Sequence, residues 1–169
     1  GTIACIAAGA IAVGADWRAG IVLGGALAMS STAFVLQMLA ERGVPHVVGL
    51  DFSMQAANVA WSRSGVPAVC GTLSRPPFAS GSCAAVTMFH VLEHLYEPAS
   101  YLDAAHSLLR PDGRLIVQVP NAACWQFLLL GERWTGVDIP RHLIDFRLSD
   151  LTALLDSCGF EVLRVKHFS

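Results

Sequence analysis

The stretch VVGLDFSMQAANVAWSRSG, residues 47–65, decides the fold class. It opens with an apolar run typical of a buried strand, and this run ends in an acid, Asp51. Ser53 then provides an N-cap for a helix that Gly65 closes, because serine caps helix starts and glycine readily adopts the left-handed backbone found at helix ends. A strand that leads through an acid into a capped helix is a βα unit, the building block of parallel sheets.

The same alternation continues through the rest of the chain. The apolar periodicities predict strands at 67–70, 83–91, 114–120 and 160–165, and helices at 99–109 and 149–159, the second with a serine cap at Ser149. The sequence Pro-Asp-Gly at 111–113 predicts a turn that stops the first of these helices. Alternating elements of this length predict an α/β fold in which a mostly parallel sheet lies between two layers of helices.

Ligands of such sheets bind at the carboxyl ends of the strands. Asp51 ends one predicted strand, residues 71–73 (GTL) follow the next, and residues 89–94 (FHVLEH) follow the third. An acid at the tip of the second strand can accept both hydrogen bonds of a ribose diol. The alternatives are a turn aspartate or the cap of the following helix, although Ser53 is the better candidate for that cap.

Residues 1–43 differ in composition from residues 44–169, and the boundary near Gly43 divides the chain into two predicted regions. The run from 19 to 40 holds 22 residues without a charge. A membrane-spanning helix needs about 20 apolar residues, and small residues such as those in this run favour close helix packing in lipid. The alternative is a buried helix or strand of a soluble core.

Composition excludes several classes of function. The net charge of −2 and the absence of a basic stripe predict no nucleic-acid partner. The five cysteines form no C-x-x-C pair, so no metal site is predicted. Their odd number and scattered positions favour a reducing cytosol over a disulfide framework, and no secretory signal is recognisable. The predicted location is therefore the cytoplasm, with membrane association through residues 1–40 as an open alternative.

Residues 16–43, DWRAGIVLGGALAMSSTAFVLQMLAERG, resemble an internal segment of the bacterial monovalent cation:proton antiporters. Such transporters need many helices around an ion site at the membrane midplane. Ion transport by this chain is therefore not expected.

Five blocks in the second region resemble the class I S-adenosylmethionine-dependent methyltransferases, and most closely the ubiquinone-biosynthesis O-methyltransferases. The blocks are VVGLDFS, GTLSRPPFASGSCAAVTMFHVLEHL, LLRPDGRLIVQVPN, DIPRHLIDF and LLDSCGFEVLRV. The resemblance runs from about residue 43 to residue 169. It implies a Rossmann-like fold, S-adenosylmethionine as the cofactor and a small-molecule methyl acceptor.

The resemblance also implies roles for individual residues. The implied cofactor contacts are Asp51 at the ribose, Phe52 beside the adenine, Gly71, Thr72 and Leu73 around the adenine, and Phe89 and His90 near the methionine part. His94 and His142 are candidate catalytic residues, because a histidine titrates near neutrality and can take a proton from the acceptor. The alternative for each is a histidine that ties a loop to backbone carbonyls. Trp125 and Trp134 are candidates to roof an acceptor pocket or to pack a lid.

The sequence departs from the family pattern at the cofactor loop. The family's glycine loop lies about twenty residues before the ribose acid, where residues 29–33 (MSSTA) contain no glycine. Glycine is needed there because the backbone must approach the cofactor closely. We therefore expect weak or absent cofactor binding and an atypical first βα unit. The family's last strand, which would follow residue 169, is also expected to be missing. The alternative function is a non-catalytic or chimeric methyltransferase fragment fused to an antiporter segment.

Overall fold

The computed structural model describes Glu41, Gly43 and residues 46–131 and 141–167. The antiporter-like segment apart from Glu41 and Gly43, the loop at 29–33 and Trp134 lie outside the described residues, so their predicted roles stay predictions. The chain divides into two compact units, Gly1–Gly71 and Thr72–Ser169, and each is described by itself.

The first unit contains the predicted βα unit followed by a second strand. Strand β1 (Gly49–Asp51), helix α1 (Met54–Ser64) and strand β2 (Ala68–Cys70) follow one another along the chain. The two strands pair in parallel, with Asp51 opposite Cys70. Their core is built from small side chains, because the buried Ala57 and Ala60 of α1 pack with Ala68 of β2. Small residues allow the helix to lie close to the strands.

Both predicted caps of α1 are confirmed. The Ser53 hydroxyl accepts a hydrogen bond from the backbone N–H of Ala56 at 3.3 Å. At the other end Gly65 adopts φ +70° and donates its N–H to the Trp61 carbonyl. The positive φ explains the glycine, because a Cβ makes this backbone conformation unfavourable.

The described part of the second unit contains two longer strands and three α-helices. The elements are β3 (Cys83–Phe89), a 3₁₀ turn (Leu92–His94), α2 (Pro98–Leu108), β4 (Leu109–Gln118), α3 (Trp125–Leu130) and α4 (Leu148–Ser157). Strands β3 and β4 pair in parallel, and Phe89 lies opposite Gln118. The carboxyl ends of both strands therefore lie at the same edge, which is where parallel sheets place ligand sites.

The predicted turn at 111–113 lies inside a bulge of β4. Cys83 pairs with Leu109, but Ala85 pairs with Arg114, so residues 110–113 have no partner in the ladder. A Cβ on Gly113 would lie 2.9 Å from the Arg110 carbonyl oxygen, so a larger residue would have to push the backbone apart. The bulge keeps the turn compact while the strand continues beyond it.

Two sequence predictions at the end of the chain are wrong. Residues 160–167 form no strand, because none of the described strands provides the neighbouring backbone that a strand must bond to. Leu163 is accordingly 63% exposed. The N-cap of α4 is Arg147 and not Ser149, whose hydroxyl donates to Asp150 instead.

The core of the second unit forms between α2 and the strands. Leu102 and Ala105 of α2 are fully buried, as their helical spacing predicts, and they pack with Met88 of β3, Leu92 and Phe146. Within the described ranges, no helix combines the length and the apolar composition that crossing a bilayer requires.

Replacing Leu102 by alanine is expected to destabilise the fold by about 2–5 kcal/mol, because it leaves a cavity in this core. Leu128→Ala is the matched control, since the Leu128 side chain is 79% exposed and its loss is expected to cost about 0.5 kcal/mol or less. Urea unfolding followed by circular dichroism measures both. Equal losses in the two variants would contradict the assigned core.

Candidate functional site

His90 lies directly after β3 and has an unusual backbone conformation. Its φ is +54°, a region that few residues other than glycine occupy. Its N–H donates to the Gln118 carbonyl at the end of β4, at 2.9 Å. This bond helps to hold the backbone in the left-handed conformation at the carboxyl edge of the β3–β4 pair.

The imidazole of His90 is held at both ring nitrogens. Its Nδ1 lies 3.0 Å from Oε1 of Glu93, and its Nε2 lies 3.2 Å from the side-chain nitrogen of Gln118. If Nδ1 carries the proton, it donates to the carboxylate while Nε2 accepts from the amide. Nearly half of the His90 side chain is exposed, whereas Glu93 is 1% exposed. A buried carboxylate therefore orients a histidine that solvent reaches.

Glu93 also anchors the segment 141–144. Its backbone carbonyl accepts the N–H of Leu143 at 2.7 Å and of Ile144 at 3.3 Å. Nδ1 of His94 lies 2.8 Å from the Arg141 carbonyl and donates to it. His94 therefore ties a loop to a backbone carbonyl, which is the alternative role that the sequence left open. Its predicted catalytic role stays a prediction.

His142 completes a cluster with these two residues. The rings of His94 and His142 have centroids 4.9 Å apart. Glu93, His94 and His142 each offer one possible metal-ligating atom, and these atoms lie within 4.8 Å of one another. Oε2 of Glu93 and Nδ1 of His142 are buried without a hydrogen-bond partner in the described part of the chain. The sequence predicted both histidines as candidates but not that they meet.

In the first unit, Asp51 ends β1 as predicted. Its Oδ1 accepts the N–H of Ser53 at 2.9 Å, and its carbonyl accepts the N–H of Gly71 at 2.8 Å. The N-cap of α1 is therefore Ser53 and not Asp51. Phe52 is 87% exposed. A carboxylate at a strand tip beside an exposed aromatic ring suits a ribose and an adenine.

Thr72 and Leu73 begin the second unit. The Thr72 hydroxyl lies 3.1 Å from the Tyr101 hydroxyl and 3.0 Å from the Ser74 hydroxyl. Leu73 packs against the core of that unit. Thr72 is therefore fixed by neighbouring hydroxyl groups.

Helix α3 presents an apolar surface. Trp125 is 66% exposed, and Leu128 and Leu129 are 79% and 73% exposed. Whether Trp125 roofs an acceptor pocket stays a prediction.

A family model described as a methyltransferase domain matches residues 30–165. The chain belongs to this methyltransferase domain family. A probable S-adenosylmethionine-dependent methyltransferase of Mycolicibacterium smegmatis is 33% identical over 122 residues, which are 69% of this chain and 44% of that protein. A ubiquinone biosynthesis O-methyltransferase of Pseudomonas aeruginosa is 28% identical over 138 residues, which are 75% of this chain and 59% of that protein. The chain thus spans about half the length of these relatives.

Solved structures show the same fold. A SAM-dependent methyltransferase from Thermotoga maritima has a TM-score of 0.63 and 21% identity, over 73% of this chain and 58% of that one. Another from Aquifex aeolicus has a TM-score of 0.62 and 16% identity, over 79% and 70%. The predicted Rossmann-like α/β fold is confirmed, and so is the class of S-adenosylmethionine-dependent methyltransferases. Membership of this class implies S-adenosylmethionine as the cofactor.

The described residues of the methyltransferase domain fit this cofactor where they can be compared with it. The Asp51 carboxylate lies at the carboxyl end of β1 and the exposed Phe52 ring follows it. The loop at 29–33, which would approach the rest of the cofactor, lies outside the described residues.

The pKa of His90 is shifted by its neighbours. The hydrogen bond to the Glu93 carboxylate raises the pKa of His90 above its usual 6.5, although partial burial of the ring opposes this. The stability that this pair contributes is therefore fully present below pH 6.5 and is lost as the pH rises through the raised pKa.

Glu93→Gln is expected to lower the pKa of His90, because an amide cannot supply the negative charge that favours the imidazolium. NMR titration of the His90 ring protons measures this pKa in both proteins. Asp112→Asn, which changes an exposed acid, is the control and should leave the His90 titration unchanged. A His90 pKa that is the same in the parent protein and in Glu93→Gln would contradict the assigned pairing.

Proposed function

We propose that the chain is the cofactor-binding core of a methyltransferase that moves a methyl group from S-adenosylmethionine to a small-molecule acceptor. The observation that carries this proposal is the Asp51 carboxylate at the carboxyl end of β1, in a chain of the methyltransferase domain family. When bound, S-adenosylmethionine supplies a methyl group on a positively charged sulfur, so the protein has mainly to position the two reactants.

Asp51 and Phe52 are the proposed ribose and adenine contacts. Oδ1 of Asp51 accepts the backbone N–H of Ser53, and a carboxylate is a hydrogen-bond acceptor of the kind that ribose hydroxyls require. The exposed ring of Phe52 offers a flat apolar face. For Gly71, Thr72, Leu73 and Phe89 the family resemblance implies cofactor contacts, and these stay predictions.

An oxygen acceptor is favoured over nitrogen or carbon. The similar protein from Pseudomonas aeruginosa is named as an O-methyltransferase. A hydroxyl acceptor loses one proton, and a nearby histidine can take it. His90, His94 and His142 are the candidates that lie at or near the end of β3. We favour His90, because the Glu93 carboxylate stabilises its charged form and because its side chain is nearly half exposed. The proton would go to Nε2, in place of the hydrogen bond that this nitrogen accepts from the Gln118 amide.

The alternative is a domain that keeps the fold but has lost catalysis. It rests on residues 29–33, where the family loop has glycine and this chain has none. The measurement that separates the two is cofactor affinity.

Calorimetric titration with S-adenosylmethionine is expected to give weak but measurable binding. Asp51→Ala should abolish it, because both ribose hydrogen bonds are lost at about 1.5–3 kcal/mol for bonds to a charged group. Asp112→Ala, at an exposed acid, is the control that should bind like the parent. Micromolar binding would refute the lost-loop argument and strengthen the methyltransferase proposal. Complete absence of binding would refute the proposed function, and binding that survives Asp51→Ala would refute the ribose assignment.

Methyl transfer can be followed as S-adenosylhomocysteine release with simple phenols and catechols, such as 3,4-dihydroxybenzoate, as probes. His90→Gln is expected to lower kcat by about 100-fold, because a general base contributes about 10²–10⁴. His106→Gln, an exposed histidine on α2, is the control. A smaller effect of His90→Gln than of His94→Gln or His142→Gln would move the proton acceptor to that residue.

A further inference from the structure

The cluster of Glu93, His94 and His142 has one feature that methyl transfer does not explain. Glu93 is 1% exposed, yet its Oε2 has no hydrogen-bond partner among the described residues. Nδ1 of His142 is likewise buried without a hydrogen-bond partner among the described residues. Leaving a buried polar atom without a hydrogen-bond partner destabilises the folded state, and more so when the atom is charged. Two such atoms in one cluster indicate a ligand that both would contact.

The partners of these side chains are the kind that support metal ligands. His94 donates its Nδ1 hydrogen to the Arg141 carbonyl, so the lone pair of Nε2 is the one that can bind a metal. Oε1 of Glu93 is paired with His90, which orients the carboxylate and keeps Oε2 as its second acceptor. Metal-bound histidines usually donate their other ring hydrogen to a carbonyl or a carboxylate in this way.

The ligand types select the class of ion. Two imidazoles and one carboxylate suit Zn²⁺, Co²⁺ or Fe²⁺, whereas Mg²⁺ requires oxygen ligands and keeps several waters. One possible ligand atom from each of the three residues lies within 4.8 Å of the other two. Around Zn²⁺ in tetrahedral geometry, ligands at about 2.0–2.1 Å from the ion are about 3.4 Å apart. Binding therefore needs only a small inward movement of the side chains.

We propose that Glu93, His94 and His142 bind a divalent transition-metal ion of the zinc type, with water in the fourth position. The sequence predicted no metal because it has no cysteine pair, and the two histidines are 48 positions apart. The bound ion would join the 3₁₀ turn (Leu92–His94) to the segment 141–144, which three hydrogen bonds already connect.

Metal binding can be tested on the tag-free full chain without any methyl-transfer assay. After removal of metal with a chelator, ZnCl₂ titrated in a calorimeter is expected to bind at one site per chain. CoCl₂ should give the visible absorption of a four-coordinate ion. His142→Gln should weaken binding by about 100-fold, since it removes one of three protein ligands. His106→Gln removes an exposed histidine outside the cluster and should bind like the parent.

A thermal scan gives a second readout that separates misfolding from lost binding. Excess Zn²⁺ should raise the Tm of the parent and of His106→Gln, because a ligand that binds only the folded state stabilises it. At the same Zn²⁺ concentration it should raise the Tm of His142→Gln less than that of the parent, while circular dichroism of that variant matches the parent. The proposal is overturned if Zn²⁺ gives no binding, if His142→Gln binds as well as the parent, or if Mg²⁺ competes at equal concentration. None of these outcomes depends on cofactor binding.

Discussion

The buried Glu93 carboxylate is the group on which the described site depends. A charge with 1% exposure is expensive unless its environment compensates for it. Oε1 of Glu93 is paired with His90. The backbone carbonyl of Glu93 accepts the N–H groups of Leu143 and Ile144. One residue therefore fixes a histidine at the strand edge and docks the segment 141–144. Removal of His90 would leave the acid uncompensated, so the two residues form a unit rather than two independent side chains.

Much of the fold could be predicted from local features of the sequence, namely helix caps and the spacing of apolar residues. Ser53 and Gly65 frame α1 because capping and positive φ depend on a few adjacent atoms. The buried stripe through Leu102 and Ala105 follows from helical spacing alone. The predicted strand at 160–165 is wrong for the opposite reason. A strand is stable only when it pairs with a neighbouring strand. The sequence FEVLRV has the composition of a strand, but it does not show whether a partner strand exists.

The site was predicted less completely because its geometry comes from distant parts of the chain. Position after a strand selected Asp51 and the segment 89–94, and the family resemblance then pointed to His90 and His94 within that segment. The pairing of His90 with Glu93 has a local sequence signal, since a histidine and an acid three residues apart lie side by side in a tight turn. The meeting of His94 with His142 carried no signal, because no local pattern records a contact over 48 positions. The orphaned Oε2 of Glu93 is visible only once the packing is known.

The positive φ of His90 restricts which residues that position can accept. The left-handed region is open to glycine and, at lower cost, to asparagine, aspartate and histidine, whereas β-branched side chains clash there. As β3 ends in this conformation, a valine or isoleucine would extend the strand at the expense of the turn that buries Glu93. The backbone conformation thus limits position 90 to a few residue types. Within that set, histidine alone brings a group that exchanges protons near neutral pH.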